Sequence, residues 1–270
     1  MSFRVGFNAE IGKEKETGQS FAGEGRSISP RKSLVQVFFE SRGMTLSYYN
    51  DLFDLRVGDL VYVDGKLEGL RGRVVDVSYS FRIRVSDYKR VIALADTDVS
   101  GTFNIAGSHF VTFDRAALPR VKAASWFMPP SEEEVVSGDG DGDTFMLDDL
   151  TGMGITQAAA ERGRNYYAEN KVRYLCLEDS RGYAIVEGSR AYEVEFEYRG
   201  AEIRNLVCSC FCGGRCKHEY AVMLQLRDTL RYILGKYAQE YEDSGYFAAV
   251  PKETLYSFAI DGKEYGSITL

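Results

Sequence analysis

Nowhere in its 270 residues does the chain run to the ~18 consecutive apolar residues that a membrane-spanning helix needs. Met1 to Gly12 holds no basic segment followed by an apolar run, so no secretory leader is expected and the protein is placed in the cytoplasm, away from membranes. Cysteine is scarce and badly placed for disulfides. Four of the five copies fall between Cys208 and Cys216, too close together to staple a fold, which makes metal binding the better use for them. No phosphate-binding loop of the Gly-x-x-x-x-Gly-Lys-Ser/Thr type occurs: Gly12 to Ser20 offers two glycines, but Gln19 stands where the lysine belongs. A nucleotide-driven motor is therefore not expected. Histidine appears twice, as His109 and His218. Ser108 and Asp114 lie near His109, yet Gly107-Ser108-His109 does not make a nucleophile elbow and no orienting partner is evident. With no catalytic constellation in view, the chain is not expected to be an enzyme. It also lacks any repeat of fixed period.

What is present is the balance of a soluble globular protein, 44% hydrophobic and 27% charged. The net charge of −7 is unevenly spread: residues 1–130 carry +3, residues 131–150 carry −8 and residues 151–270 carry −2. Acidity concentrated in one short segment leaves the first part of the chain free to present a basic surface. That acidic stretch follows Pro129-Pro130, includes Glu132-Glu133-Glu134, and reaches Asp139, Asp141 and Asp143 between glycines, so it reads as a flexible linker. The three aspartates start like a calcium loop, but Thr144 and Leu150 stand where its glycine and its bidentate glutamate should be. The expected organisation is a β-rich domain over 1–130, a linker over 131–150 and a second domain over 151–270, in an α+β protein.

In the first domain, Asp59–Val63, Arg73–Val77, Phe81–Val85 and Arg90–Leu94 have the length and β-branched content of strands in a small antiparallel barrel. Val57-Gly58-Asp59-Leu60-Val61-Tyr62-Val63, followed by Gly69-Leu70-Arg71-Gly72-Arg73-Val74, resembles the opening of SH3-like barrels, including the KOW type. In the second, Thr156–Glu169 reads as a helix interrupted by Gly163. Strands are expected over Val172–Leu177, Tyr183–Glu187 and Ala191–Tyr198. The last alternates Glu193, Glu195 and Glu197 with apolar residues, which gives it one solvated face. Beyond His218 the apolar spacing turns helical, with Gly235 as a break or cap, and Leu255–Leu270 suggests a hairpin around Asp261-Gly262.

The richest segment is Cys208-Ser209-Cys210-Phe211-Cys212-Gly213-Gly214-Arg215-Cys216-Lys217-His218. A Cys-x-Cys pair and a Cys-x-His pair are separated by five residues, two of them glycines that let the chain turn back on itself. Thiolate with imidazole is a standard ligand set for structural zinc. The pattern resembles the SWIM zinc finger. The likeness extends through Arg162-Gly163-Arg164-Asn165-Tyr166-Tyr167, Val186-Glu187-Gly188-Ser189-Arg190 and Tyr192-Glu193-Val194, and on past the finger to Val222. Covering roughly residues 160–225, it is nearest to the bacterial form associated with Swi/Snf-type helicases, here without the motor. The resemblance implies Zn2+ held by Cys208, Cys210, Cys216 and His218, with His218 opening a helix. Cys212 is left open, as a spectator or in exchange with Cys210, and Cys176 reads as a small core hydrophobe.

A zinc with four protein ligands has no position for a catalytic water, which points to a binding module. The resemblance implies DNA, or a protein partner in DNA metabolism. A basic strand face made of Arg71, Arg73, Arg82, Arg84, Lys89 and Arg90, with Tyr79 and Tyr88 interleaved, is the candidate nucleic-acid surface. The rival reading is a protein–protein adaptor that recruits a separately encoded helicase or nuclease.

Overall fold

Residues 2–5, 30–130, 144–210, 212–260 and 268–269 are described by a computed structural model of the chain. The core of the acidic segment and the Asp261-Gly262 pair lie outside them, as does the calcium-loop mimic. The protein is α+β with antiparallel sheets.

After β1 (Ser2–Val5), five strands make a small sheet: β2 (Ser33–Phe39), β3 (Met44–Asn50), β4 (Leu60–Val63), β5 (Arg71–Ser78) and β6 (Val91–Leu94), in the order β3-β2-β5-β4-β6. Alternation in β2 sends Val35, Val37 and Phe39 to one side, where they meet Val61, Val63, Val74 and Val91 in a closed apolar cluster. The sheet curls toward a barrel, because Tyr49 N–H donates to the Lys89 carbonyl (2.9 Å) and a single parallel bridge joins Tyr49 to Arg90. The strands expected at Asp59–Val63 and Arg73–Val77 are β4 and β5, which pair antiparallel with each other. Phe81–Val85, however, is not a strand. Its residues alternate between half-buried and exposed as a strand's would, then enter a 3-10 turn at Val85–Asp87. Both edges of β5, the strand it follows, are taken by β2 and β4, so the segment cannot fold back on β5 as a hairpin.

The larger sheet runs β15-β1-β7-β8-β14-β10-β11-β12-β13-β9. Its further members are β7 (Gly101–Ala106), β8 (His109–Thr112), β9 (Phe145–Met146), β10 (Val172–Glu178), β11 (Arg181–Glu187), β12 (Ala191–Arg199), β13 (Glu202–Cys208), β14 (Tyr246–Pro251) and β15 (Ile268–Thr269). The boundary expected at 131–150 falls inside this sheet. β8, from before it, pairs with β14, and β14 pairs with β10. All six residues of β14 are buried, and an apolar strand of that kind needs a neighbour on each edge.

Helices cover both faces: α1 (Arg120–Ser125), α2 (Gln157–Ala168), α3 (Lys217–Lys236), α4 (Ala238–Ser244) and α5 (Lys252–Ala259). Leu175, Leu177, Ala184, Val186 and Val194 pack with Val222, Met223, Leu226 and Ile233 of α3. On the opposite face Tyr174, Cys176, Tyr183 and Ile185 join Trp126, Leu255 and Phe258. Cys176 is thus the core thiol expected of it. α5 replaces the first part of the expected hairpin, since Leu255, Phe258 and Ala259 have helical spacing and all three are buried. α3 runs through Gly235 and stops at Tyr237.

Candidate metal centre

Two elements bring the cluster together. At the end of β13, Cys208 pairs with Val194 of β12, and the pairing is prolonged by Ser209, whose N–H donates to the Glu193 carbonyl (2.9 Å) and whose Oγ accepts from Glu193 N–H (2.9 Å). With Ser209 clamped on one side, Cys208 and Cys210 project to the other, two residues apart on an extended chain. From the far side comes the start of α3. Cys216 is its N-cap: Cys216 Sγ accepts from Glu219 N–H (3.5 Å), and Glu219 Oε2 accepts from Cys216 N–H (2.7 Å). This is a capping box with cysteine in the place of serine or threonine. Arg215 Nη1 donates to the Leu206 carbonyl (2.6 Å), tying the turn back to β13.

The three sulfurs and the imidazole of Cys208, Cys210, Cys216 and His218 all lie within 4.8 Å of one another and could hold a metal ion. His218 Nδ1 faces Cys208 Sγ (3.7 Å) and Cys216 Sγ (3.8 Å). Its ring is fixed by Tyr192, stacked at 4.3 Å, and by the edge of Tyr166 at 5.4 Å, and its buried Nε2 has no hydrogen-bond partner among the described residues. Cys212 is exposed and outside the cluster.

The thiols cannot all ionise by themselves. The Cys208 thiol, donating to Cys216 Sγ, holds Cys216 down at about 3 despite its burial, and the same pairing drives Cys208 far up. Burial, then the hydrogen bond with Cys212, pushes Cys210 up to about 12. Crowding sets the three sulfurs against one another's ionisation, and a divalent cation at their centre would let them lose their protons together. The donor set therefore fits a metal chemically as well as geometrically. Burial, followed by the charge at Cys216, raises Glu219 to about 7.

Sequence reasoning found these four residues because they sit within eleven positions, but it missed the layer around them. The capping role of Cys216 was legible as Cys-x-x-Glu, a variant of the usual Ser/Thr-x-x-Glu signature. The packing of Tyr166 and Tyr192 on His218 carries no local signal.

The six basic candidates upstream do not form one face. Arg71 donates to the Trp126 carbonyl (2.6 Å) and lies 4.4 Å over Phe258, burial pulling its guanidinium down. Arg73 donates to the Gly58 and Ser257 carbonyls, and Arg90 pairs with Asp51 at 2.9 Å. Arg82, Arg84 and Lys89 are exposed on the connection to β6. The expected strand face is lost together with the expected strand. The glutamates of β12 are not simply solvated either, because Arg120 of α1 pairs with Glu195 and lies 3.9 Å from Glu193. Arg120 and Glu195 border an open cleft of about 800 Å³, which Cys176 and Tyr183 also line. Arg115 pairs there with Glu178 (3.2 Å), so its charges largely neutralise one another.

His109 is buried in β8, its Nδ1 3.0 Å from Ser108 Oγ, while Asp114 caps its own turn through Ala116 N–H. Burial, with the Lys252 charge adding to it, lowers His109 to about 4. Unfolding restores a value near 6.5, so the unfolded chain binds the extra proton. The stability that follows is complete above pH ~6.5 and is lost as pH falls toward 4, in total by about 3 kcal/mol. In metal-free protein, urea midpoints measured from pH 7 to 4 are expected to fall more steeply for wild type than for His109→Gln. Parallel slopes would remove His109 as the cause.

The chain matches no known family model, no curated protein and no solved structure.

Proposed function

We propose that Cys208, Cys210, Cys216 and His218 hold one structural zinc ion, and that the unit around them is a SWIM-type finger serving as a binding module rather than a catalyst. The observation that carries this is the convergence of four donor atoms within 4.8 Å from the end of β13 and the start of α3. Three sulfurs and an imidazole form a soft set suited to zinc and unsuited to magnesium or calcium. Bound there, zinc would supply a cross-link between strand and helix and, with four protein ligands, no site for water. The partner that fits the resemblance is DNA, with a protein of DNA metabolism as the rival.

Elemental analysis of the purified chain is expected to give one zinc per molecule, unchanged in Cys212→Ser, because Cys212 Sγ is exposed and outside the cluster. A stoichiometry near zero, or one halved by the Cys212 change, would remove the four-residue site as described. Retention of the zinc-loaded protein on DNA at low salt, weakening as salt rises, is the expected second result. A partner captured independently of salt, with no retention on DNA, would replace DNA by the protein adaptor reading.

A further inference from the structure

Three cations that enter no ion pair among the described residues, Arg162, Arg164 and Lys217, stand beside the donor cluster. α2 lies close against the start of α3 because Gly163 has no side chain: a Cβ there would come within 2.9 Å of the Lys217 carbonyl oxygen and of Tyr220 Cβ. That close approach places Arg162 and Arg164, both exposed, on either side of the contact with the finger helix. One turn further along α2, the Tyr166 ring carries Lys217 Nζ above it at 4.5 Å and meets His218 edge-on. From the β11–β12 turn comes Arg190, 5.3 Å over the ring of Tyr192, which is itself stacked on His218. No ion pair among the described residues involves Arg162, Arg164 or Lys217. The acids closest in sequence are committed elsewhere. Glu187 is bound by Arg173, Glu219 is buried in the capping box, and Glu161 accepts from Gln157.

The opposite face of the sheet has the contrary character, with Glu193 and Glu195 answered by Arg120. Arg82, Arg84 and Lys89 are likewise outside any ion pair among the described residues, but they lie on a connecting segment, whereas Arg162, Arg164 and Lys217 gather at one helix–helix contact beside the donor cluster. Tyrosine rings lie beneath two of the three, Tyr220 under Arg164 at 5.7 Å and Tyr166 under Lys217 at 4.5 Å. Phosphodiester oxygens are the anions that such a group of guanidinium and ammonium ions fits.

We infer that the nucleic-acid backbone is held at the finger, by Arg162, Arg164 and Lys217 across the α2–α3 contact, and not by the arginines of the small sheet. This rests on the nucleic-acid reading proposed above and gives that reading a location. Each phosphate contact contributes about one unit to the slope of log affinity against log salt. The test measures fluorescence anisotropy of a labelled single-stranded DNA oligonucleotide and its duplex with zinc-loaded full-length chain across a salt series. Arg162→Ala/Arg164→Ala/Lys217→Gln is compared with Arg82→Ala/Arg84→Ala/Lys89→Ala.

The finger variant is expected to lose about two to three units of slope and at least ~10-fold in affinity at low salt, with the small-sheet variant close to wild type. Zinc content and circular dichroism of each variant separate loss of binding from loss of fold. Should the finger variant lose zinc, Arg162→Glu/Arg164→Glu, which leaves Lys217 and the ligands untouched, is read instead, and it is expected to abolish binding. If wild type binds and the finger variants bind equally well, or only the small-sheet variant fails, the location is overturned and the nucleic-acid reading survives. If wild type binds neither oligonucleotide at low salt, both fall.

Discussion

Cys208→Ala is expected to lower zinc affinity by more than the ~10–100-fold typical of changes to groups that merely support a ligand, and to leave the finger open in the absence of excess metal. Structural zinc supplies on the order of 10 kcal/mol of apparent folding free energy in small fingers. Here the donor cluster leans on a large core, in which Leu206, Tyr220 and Met223 are buried, so loss of a bound metal should open the site without unfolding the sheet. Hydrogen exchange should lose protection at Val207–Cys210 and in the first turn of α3, while β2, β4 and β5 keep theirs. Cys216→Ala removes an N-cap as well as a proposed ligand. In the presence of chelator it should therefore be less stable than Cys208→Ala by about 1 kcal/mol. A Cys208→Ala protein that still carries one zinc with wild-type affinity would refute the ligand set. Equal stability of the two variants in chelator would refute the capping role.

Trp126→Ala is expected to destabilise the protein by about 3–5 kcal/mol. Trp126 is fully buried where the small sheet meets the large one. Its ring stacks on Phe258 of α5 (4.9 Å, 10°), its indole N–H donates to the Asp96 carbonyl (2.7 Å), and its own carbonyl receives Arg71. Nearby, Tyr62 donates to the Ser125 carbonyl (3.1 Å). Truncation leaves a cavity at this seam, the Asp96 carbonyl without its donor and Phe258 without its neighbour. Because the donor cluster packs on the other face, zinc stoichiometry should be unchanged. Urea denaturation followed by circular dichroism checks the magnitude, and a loss under about 1 kcal/mol would show that the two sheets are not coupled through this residue. As the sole tryptophan, Trp126 also reports on the seam in wild type, where its emission should shift to the red in the same transition.

The elements around the finger were readable because their signals are local. The helix expected over Thr156–Glu169 is α2 at Gln157–Ala168, and the three strands expected after it are β10, β11 and β12, each within a few residues. Thr156 caps α2 through Ala159 N–H, and Gly163, which looked like an interruption, is the point where α2 touches α3. The misreadings share one cause. Phe81–Val85 has a strand's alternation but pairs with no strand of the small sheet, and α5 follows directly on Pro251 where a hairpin tail was expected. β14 is a short apolar run that acquires meaning from β8 and β10, well over a hundred and about seventy residues earlier in the chain.

The sequence by itself pointed to the donor cluster, because four candidate donors within eleven residues form a constellation that needs no distant partner, and it indicated the helix and the strands that frame them. Only the tertiary structure decided where the sheets divide and which cations stay unpaired. Hydrogen-bonded edges and ion pairs are shared between segments far apart in the chain: Arg71 and Arg73, alike in sequence to Arg82 and Arg84, are drawn into the seam by the Trp126, Gly58 and Ser257 carbonyls, whereas Arg162 and Arg164 are left facing solvent by the contact at Gly163.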